Sequence, residues 1–140
     1  MLPPYEFTDD GKTALVYAAR ESSDAGHSET WTTDLLIGIL RSQGQPGAKV
    51  LARAQVELAA VRDEVPLAPP GSNEPEFHTP RPSQISIALE AAHREAVRSG
   101  TSGINTIHLL LGLLQATDGV AARILGDHGV GEEEIRRGAD

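Results

Sequence analysis

Two six-residue stretches, Leu35-Leu36-Ile37-Gly38-Ile39-Leu40 and Leu109-Leu110-Leu111-Gly112-Leu113-Leu114, decide how this sequence folds. They stand 74 residues apart, and the offset holds outward from them without a gap, from Ala14/Ala88 to Arg62/Arg136. Of those 49 paired positions 16 are identical, among them Ala18/Ala92, Glu21/Glu95, Gly26/Gly100, Thr32/Thr106, Leu51/Leu125 and Val56/Val130. Ungapped identity at this level marks a duplicated unit, with a period longer than the ~20–50 residues of solenoid repeats. Two copies packed about a pseudo-twofold axis are expected. Gly38 and Gly112 occupy the same mid-helix place in each copy, where Gly costs about 1 kcal/mol against Ala. Their recurrence predicts a neighbouring helix too close for a Cβ.

Within each copy the periodicity is helical. Thr8 reads as an N-cap, with Asp9 and Asp10 at the positive end of the helix dipole. That helix runs to about Asp24 and stops at Gly26. Thr32 reads as the cap of a second helix through about Ser42, a third follows Pro46, and a short fourth spans about 57–64. The second copy repeats them over about 83–98, 106–116, 120–126 and 132–137. No segment alternates with strand period. The expected fold is all-α, with about eight helices in two groups of four. The chain divides into a first repeat over 7–65, a proline-rich bridge over 66–82 and a second repeat over 83–137. Six of the nine prolines fall in the bridge, which excludes helix or central strand there and predicts an extended, partly mobile linker.

Composition bounds the function. The chain has 140 residues, enough for one domain, and no cysteine, which excludes disulfides, thiolate zinc sites and a cysteine nucleophile. Only two Phe, two Tyr and one Trp are present, so the core must be aliphatic. Twelve basic against twenty acidic residues give a net charge of −8, which argues against nucleic-acid binding and favours basic partners. No run approaches the ~20 apolar residues of a bilayer span, and the first residues lack the features of a signal peptide. A cytoplasmic protein without membrane contact is expected.

The motifs together resemble a known family. Phe7-Thr8, Gly26-His27, the Thr32 and Thr106 helix openings, the Leu-Leu-x-Gly-x-Leu cores and Gly119-Val120-Ala121-Ala122-Arg123-Ile124-Leu125 are similar to the double-repeat N-terminal domain of Clp-type AAA+ unfoldases, the ClpC and ClpA class. The likeness covers about residues 7–137. It implies a non-enzymatic module that docks client proteins, adaptors or peptide segments for a Clp ATPase and its protease. No G-x-x-x-x-G-K-[ST] loop is present, so the chain does not itself carry the motor. Met1 with its Pro-Pro lead reads as a natural start, of either a free-standing module or the front of a longer protein.

In that family a surface between the opening helices of the two repeats takes up peptides, adaptors and, in actinobacterial members, cyclic-peptide antibiotics. A sequestering binder of such a natural product is therefore the alternative expectation. The matching residues here are Val16 and Ala19, then His78, Pro80, Glu90, His93 and Val97. Phe7, Tyr5 and Phe77 flank the same helices. Some family members hold phosphorylated arginine through two glutamates, one in each second helix. The matching positions are Thr33 and Ile107, neither able to pair with a guanidinium, so that recognition is not expected.

Other chemistry finds little support in the residues. The five histidines, His27, His78, His93, His108 and His128, lack the i, i+4 spacing of a helical metal motif, and a buried or capping role is expected for them rather than metal binding. No nucleophile or acid–base constellation stands out. No metal, cofactor or catalytic residue is expected.

Overall fold

The computed structural model describes residues 5–66, 70–71, 74 and 83–138. Among them are eight helices: α1 (Asp9–Ala25), α2 (Thr32–Arg41), α3 (Pro46–Arg53), α4 (Leu58–Glu64), α5 (Gln84–Ser99), α6 (Thr106–Gln115), α7 (Val120–Asp127) and α8 (Glu132–Gly138). The fold is all-α, as the periodicity predicts. The only β feature among the described residues is one isolated parallel bridge, Phe7 to Ile104. It joins the lead-in of α1 to the loop before α6, and so ties the two copies together.

Local chemistry explains the ends of the elements. The Thr8 side chain accepts from the Gly11 N–H at 3.3 Å, and two aspartates fill the first turn of α1. Gly26 and Gly100 end α1 and α5 in the left-handed region, at φ 75° and 73°, where a Cβ would be strained. Pro46 opens α3, where its missing N–H leaves no helical bond unmade.

α2 and α6 form the centre. Thr32 to Ile39 and Thr106 to Leu113 are buried without interruption, which is why these helices are apolar all round rather than on one stripe. α1 packs along α2 and α5 along α6, while α3, α7 and α8 close the ends and cross between copies. The two central glycines answer to this packing. A Cβ on Gly38 would sit 2.3 Å from the Ala14 carbonyl oxygen, and one on Gly112 would sit 2.1 Å from that of Ala88. Ala14 and Ala88 are themselves equivalent, so the same backbone contact is built twice.

A second duplicated device clamps the outer helices. Arg62 of α4 donates to Glu21 of α1, and Arg136 of α8 donates to Glu95 of α5 at 2.7 Å. Both members are identical in the two copies. The clamp ties each repeat's first helix to its last.

The seam between copies is polar and reciprocal. Thr32 and Thr106 are the first residues of α2 and α6, not their caps. Trp31 and Asn105 occupy the cap positions. The threonine hydroxyls instead cap helices of the opposite copy. Thr32 Oγ1 accepts from the Ala121 N–H of α7 at 3.1 Å, and Thr106 Oγ1 accepts from the Gly47 N–H of α3 at 3.0 Å. Ala121 and Gly47 are equivalent positions. Each threonine then donates to a carboxylate. Asp10 accepts from the Thr106 hydroxyl at 2.9 Å and its N–H at 3.0 Å. Glu74 accepts from the Thr32 N–H at 2.6 Å, from the Thr32 hydroxyl, and from the Val120 N–H at 2.8 Å.

The carboxylates break the symmetry. The equivalent of Asp10 is Gln84, which is buried and leaves its amide nitrogen without a partner among the described residues. A residue from the proline-rich bridge supplies the second carboxylate instead. Most of the bridge lies outside the described residues, but at Glu74 the chain is buried and fixed, which the expectation of a mobile linker did not foresee.

The two seam carboxyls titrate in opposite directions. For Asp10, burial pushes upward, but bonds from Thr8, Thr106 and Gly11 outweigh it and hold the carboxyl below its usual 3.8. For Glu74, burial dominates over the bonds from Thr32 and Val120, and the negative Asp34 adds to it, so the carboxyl stands above its usual 4.5.

Three outcomes are expected. Gly38→Ala and Gly112→Ala should each cost about 1–3 kcal/mol by overpacking, read as a lowered urea midpoint at unchanged slope. Thr106→Ala removes an acceptor and two-way partner at once and should cost about 1–3 kcal/mol in the same titration. Asp10, with its carboxyl lower in the fold than unfolded, adds stability above about pH 4 that is lost as pH falls through its folded value. Asp10→Asn should therefore flatten the acid limb of the stability curve, and an unchanged limb would refute that role.

Candidate functional site

The surface expected from the sequence lies on α1, on α5 and on the segments leading into them. Val16 and Val97 are exposed by 58% and 65%, and they are the large aliphatic side chains left open among the described residues. One stands on each opening helix. Ala19, Glu90 and His93 are exposed on the same two helices, and Phe7 is half-buried against the core. His78 and Pro80, together with Phe77, lie outside the described residues.

His93 and Val97 come together on one side of a cavity of about 380 Å³, with Glu6, Ile104 and the Thr101–Gly103 loop on the other. The Tyr5 ring stacks on His93 with centroids 4.8 Å apart. Two carboxylates, Glu6 and Glu90, border this surface. Glu90 holds Arg94 of the same helix at 3.1 Å. The result is an aliphatic and aromatic patch bordered by Glu6 and by the Glu90–Arg94 pair. Val16 and Ala19 do not line this cavity, so the structure groups the α5 residues more tightly than the α1 residues.

The N-terminus of α2 gathers a separate polar cluster. His27 Nδ1 lies 2.7 Å from Asp34 Oδ2, and the His27 ring stacks on Trp31 at 3.7 Å with parallel planes. The same Asp34 oxygen accepts from the Trp31 N–H at 2.8 Å. Burial raises the Asp34 carboxyl above its usual value, with the Trp31 and His27 bonds pulling against it. At the equivalent place on α6, His108 Nδ1 accepts from the Asn105 N–H at 3.1 Å, and Asn105 caps the His108 N–H in return. Burial holds His108 below its usual value, which suits an acceptor nitrogen. Both clusters are helix-capping devices.

Thr33 and Ile107 are buried inside α2 and α6. Neither offers a charged group that could pair with a modified arginine. Among the described residues no three His, Asp or Glu side chains gather as a metal site would require. No single described helix is long and apolar enough to cross a membrane.

Sequence reasoning missed Glu74, Asp10 and the Glu21/Arg62 and Glu95/Arg136 clamps. The clamps left a signal, since both members recur at the repeat offset. Glu74 left none, because its partners lie 42 and 46 residues away and its own equivalent falls outside the duplicated stretch.

Comparison with known proteins agrees with this architecture. Residues 82–140 match the family described as the Clp repeat (R) N-terminal domain. The chaperone protein ClpB of Oceanobacillus iheyensis is 30% identical over 134 residues, covering 94% of this chain and 16% of that protein. An uncharacterized protein of Mycobacterium bovis is 34% identical over 113 residues, covering 81% of this chain and 44% of its own length. The chain thus spans less than half of either relative. The Hsp104 N-terminal domain from Candida albicans superposes with a TM-score of 0.70 at 21% identity, over 96% of this chain and 89% of that one. With the duplicated helices and the doubled glycine contact in hand, the second repeat matches the Clp repeat (R) N-terminal domain, and the chain as a whole has the fold of Clp-type N-terminal domains.

Proposed function

We propose that this chain is a non-catalytic docking module of a Clp system, which holds peptide segments of clients or adaptors on the surface between α1 and α5. The single observation that carries this reading is the exposure of Val16 and Val97. Elsewhere in the described structure the large aliphatic side chains are buried or half-buried, so two open valines on equivalent helices stand out. Burying them against a partner would supply the driving force. Glu6 at the border of the cavity and the net charge of −8 favour segments in which aliphatic residues are flanked by Lys or Arg. The stacked Tyr5–His93 pair adds a flat face of the kind that anchors interfaces. Among the described residues of this surface, no group is arranged as a nucleophile with its base.

The test is fluorescence anisotropy with a labelled linear peptide of aliphatic residues flanked by lysines. Binding is expected to weaken at least about tenfold in Val97→Glu, since burial of one such side chain contributes ~1.5 kcal/mol or more. Val16→Glu should act in the same direction. Binding that is absent, or indifferent to both substitutions, would refute the reading. Tight binding of a cyclic peptide antibiotic with no binding of linear peptides would reassign the surface to sequestration of that compound.

A further inference from the structure

A further cavity lies away from the α1/α5 surface. It is an open cleft of about 640 Å³ on the first repeat, where Tyr17 of α1, Leu40 and Arg41 of α2, Lys49 of α3, and Val56 and Leu58 around the start of α4 converge. The second copy carries a counterpart of about 520 Å³, lined by Glu95, Arg98, Leu114, Gln115 and Glu132 among others. The duplication therefore provides an internal comparison. Leu40 and Leu114 are the shared floor. Where the first copy has Tyr17, Arg41 and Leu58, the second has Ala91, Gln115 and Glu132. The first cleft is the more apolar and the second the more polar.

Their charges also differ. Of the charged residues that line the second cleft, Arg98 stands against Glu95 and Glu132, and Glu95 is held by Arg98 and by Arg136 of α8. In the first copy one oxygen of Glu21 serves both Arg41, at 3.4 Å, and Arg62. Lys49 adds a cation at the rim and makes no ion pair among the described residues, while Glu57 is the one carboxylate lining the cleft. Of the charged residues that line the cleft, Arg41 and Lys49 stand against Glu57, a local positive excess on a chain of net charge −8. The Arg41 guanidinium lies over the Tyr17 ring at 4.6 Å, which fixes its plane and leaves its edge to donate.

We propose that this cleft binds an internal segment of a partner protein in which a Glu or Asp sits among aliphatic residues. The carboxylate would be taken by Arg41 and Lys49, and the aliphatic side chains by Leu40, Val56 and Leu58. The charge excess selects an acidic group, opposite to the preference of the α1/α5 surface. The cleft is open rather than enclosed, so it selects a passing chain rather than a chain end. The proposal stands independently of the docking role assigned to Val16 and Val97.

The experiment uses two end-blocked peptides of Leu and Ile, one with a central Glu and one with Gln in its place, titrated into the whole chain at low salt. Isothermal calorimetry reads affinity, and amide chemical shifts read location. The Glu peptide should shift amides of residues 40–58 and should bind about three- to tenfold more tightly than the Gln peptide. Arg41→Gln should remove that difference. Lys49→Gln, on an exposed side chain with no structural partner, should reduce it without any question of folding. In Val97→Glu, which disables the α1/α5 surface, the advantage of the Glu peptide over the Gln peptide should persist. Equal affinity for the two peptides would overturn the proposal, as would the absence of binding. Shifts confined to α5, or loss of that advantage in Val97→Glu, would overturn it too, by placing the acidic preference on the other surface.

Discussion

The structure depends on two threonine hydroxyls, each capping a helix that belongs to the other half of the molecule. A helix N-terminus leaves backbone N–H groups without intrahelical partners, and burying them unpaired is costly. Here α3 and α7 start inside the seam between copies. Thr106 and Thr32 accept their N–H groups, and Asp10 and Glu74 accept the threonine protons in turn. Neither copy could bury these helix starts alone. The seam makes one cooperative unit of a duplicated chain, and the apolar contacts of α2 and α6 are placed by it.

The duplication also separates what is structural from what is free to change. The glycine contact, the left-handed glycines after α1 and α5, and the Glu21/Arg62 and Glu95/Arg136 clamps are kept in both copies. They set helix spacing and orientation. The outer faces of α1 and α5, and the two lateral clefts, differ between copies in charge and in size of side chain. Divergence at those places leaves the shared framework intact. An aliphatic and aromatic patch on α5 and a cleft with a positive excess then coexist on a small domain, built from different residues.

Much of this was legible in the sequence, because the strongest signals were local or repeated. Helix type and number follow from the 3–4 spacing of apolar residues, and the glycine packing follows from Gly38 and Gly112 recurring at one place. Thr32 and Thr106 were recognisable as helix-start residues, but their local context pointed to the wrong helix. A capping motif shows that a hydroxyl is available, not which N–H will reach it through space. Glu74 was illegible for a stronger reason. It lies in a proline-rich segment with no periodicity, and it replaces by tertiary approach the carboxylate that Gln84 lacks. For the candidate surface, the helices that carry the exposed Val16 and Val97 were legible. The separation of Val16 and Ala19 from the His93–Val97 cavity depends on how the loop before α6 and the lead-in of α1 meet, and no spacing rule encodes that.

Native-state hydrogen exchange tests the central claim most directly, because the seam bonds are made by identifiable backbone amides. The N–H groups of Gly47, Thr106, Thr32 and Ala121 belong to both copies and to both halves of the seam. If the two copies fold as one unit held by these bonds, all four exchange only through global unfolding, with protection equal to the free energy from denaturant titration. If the amides of one copy exchange at markedly lower free energy than those of the other, the copies open separately, and the seam is not what joins them.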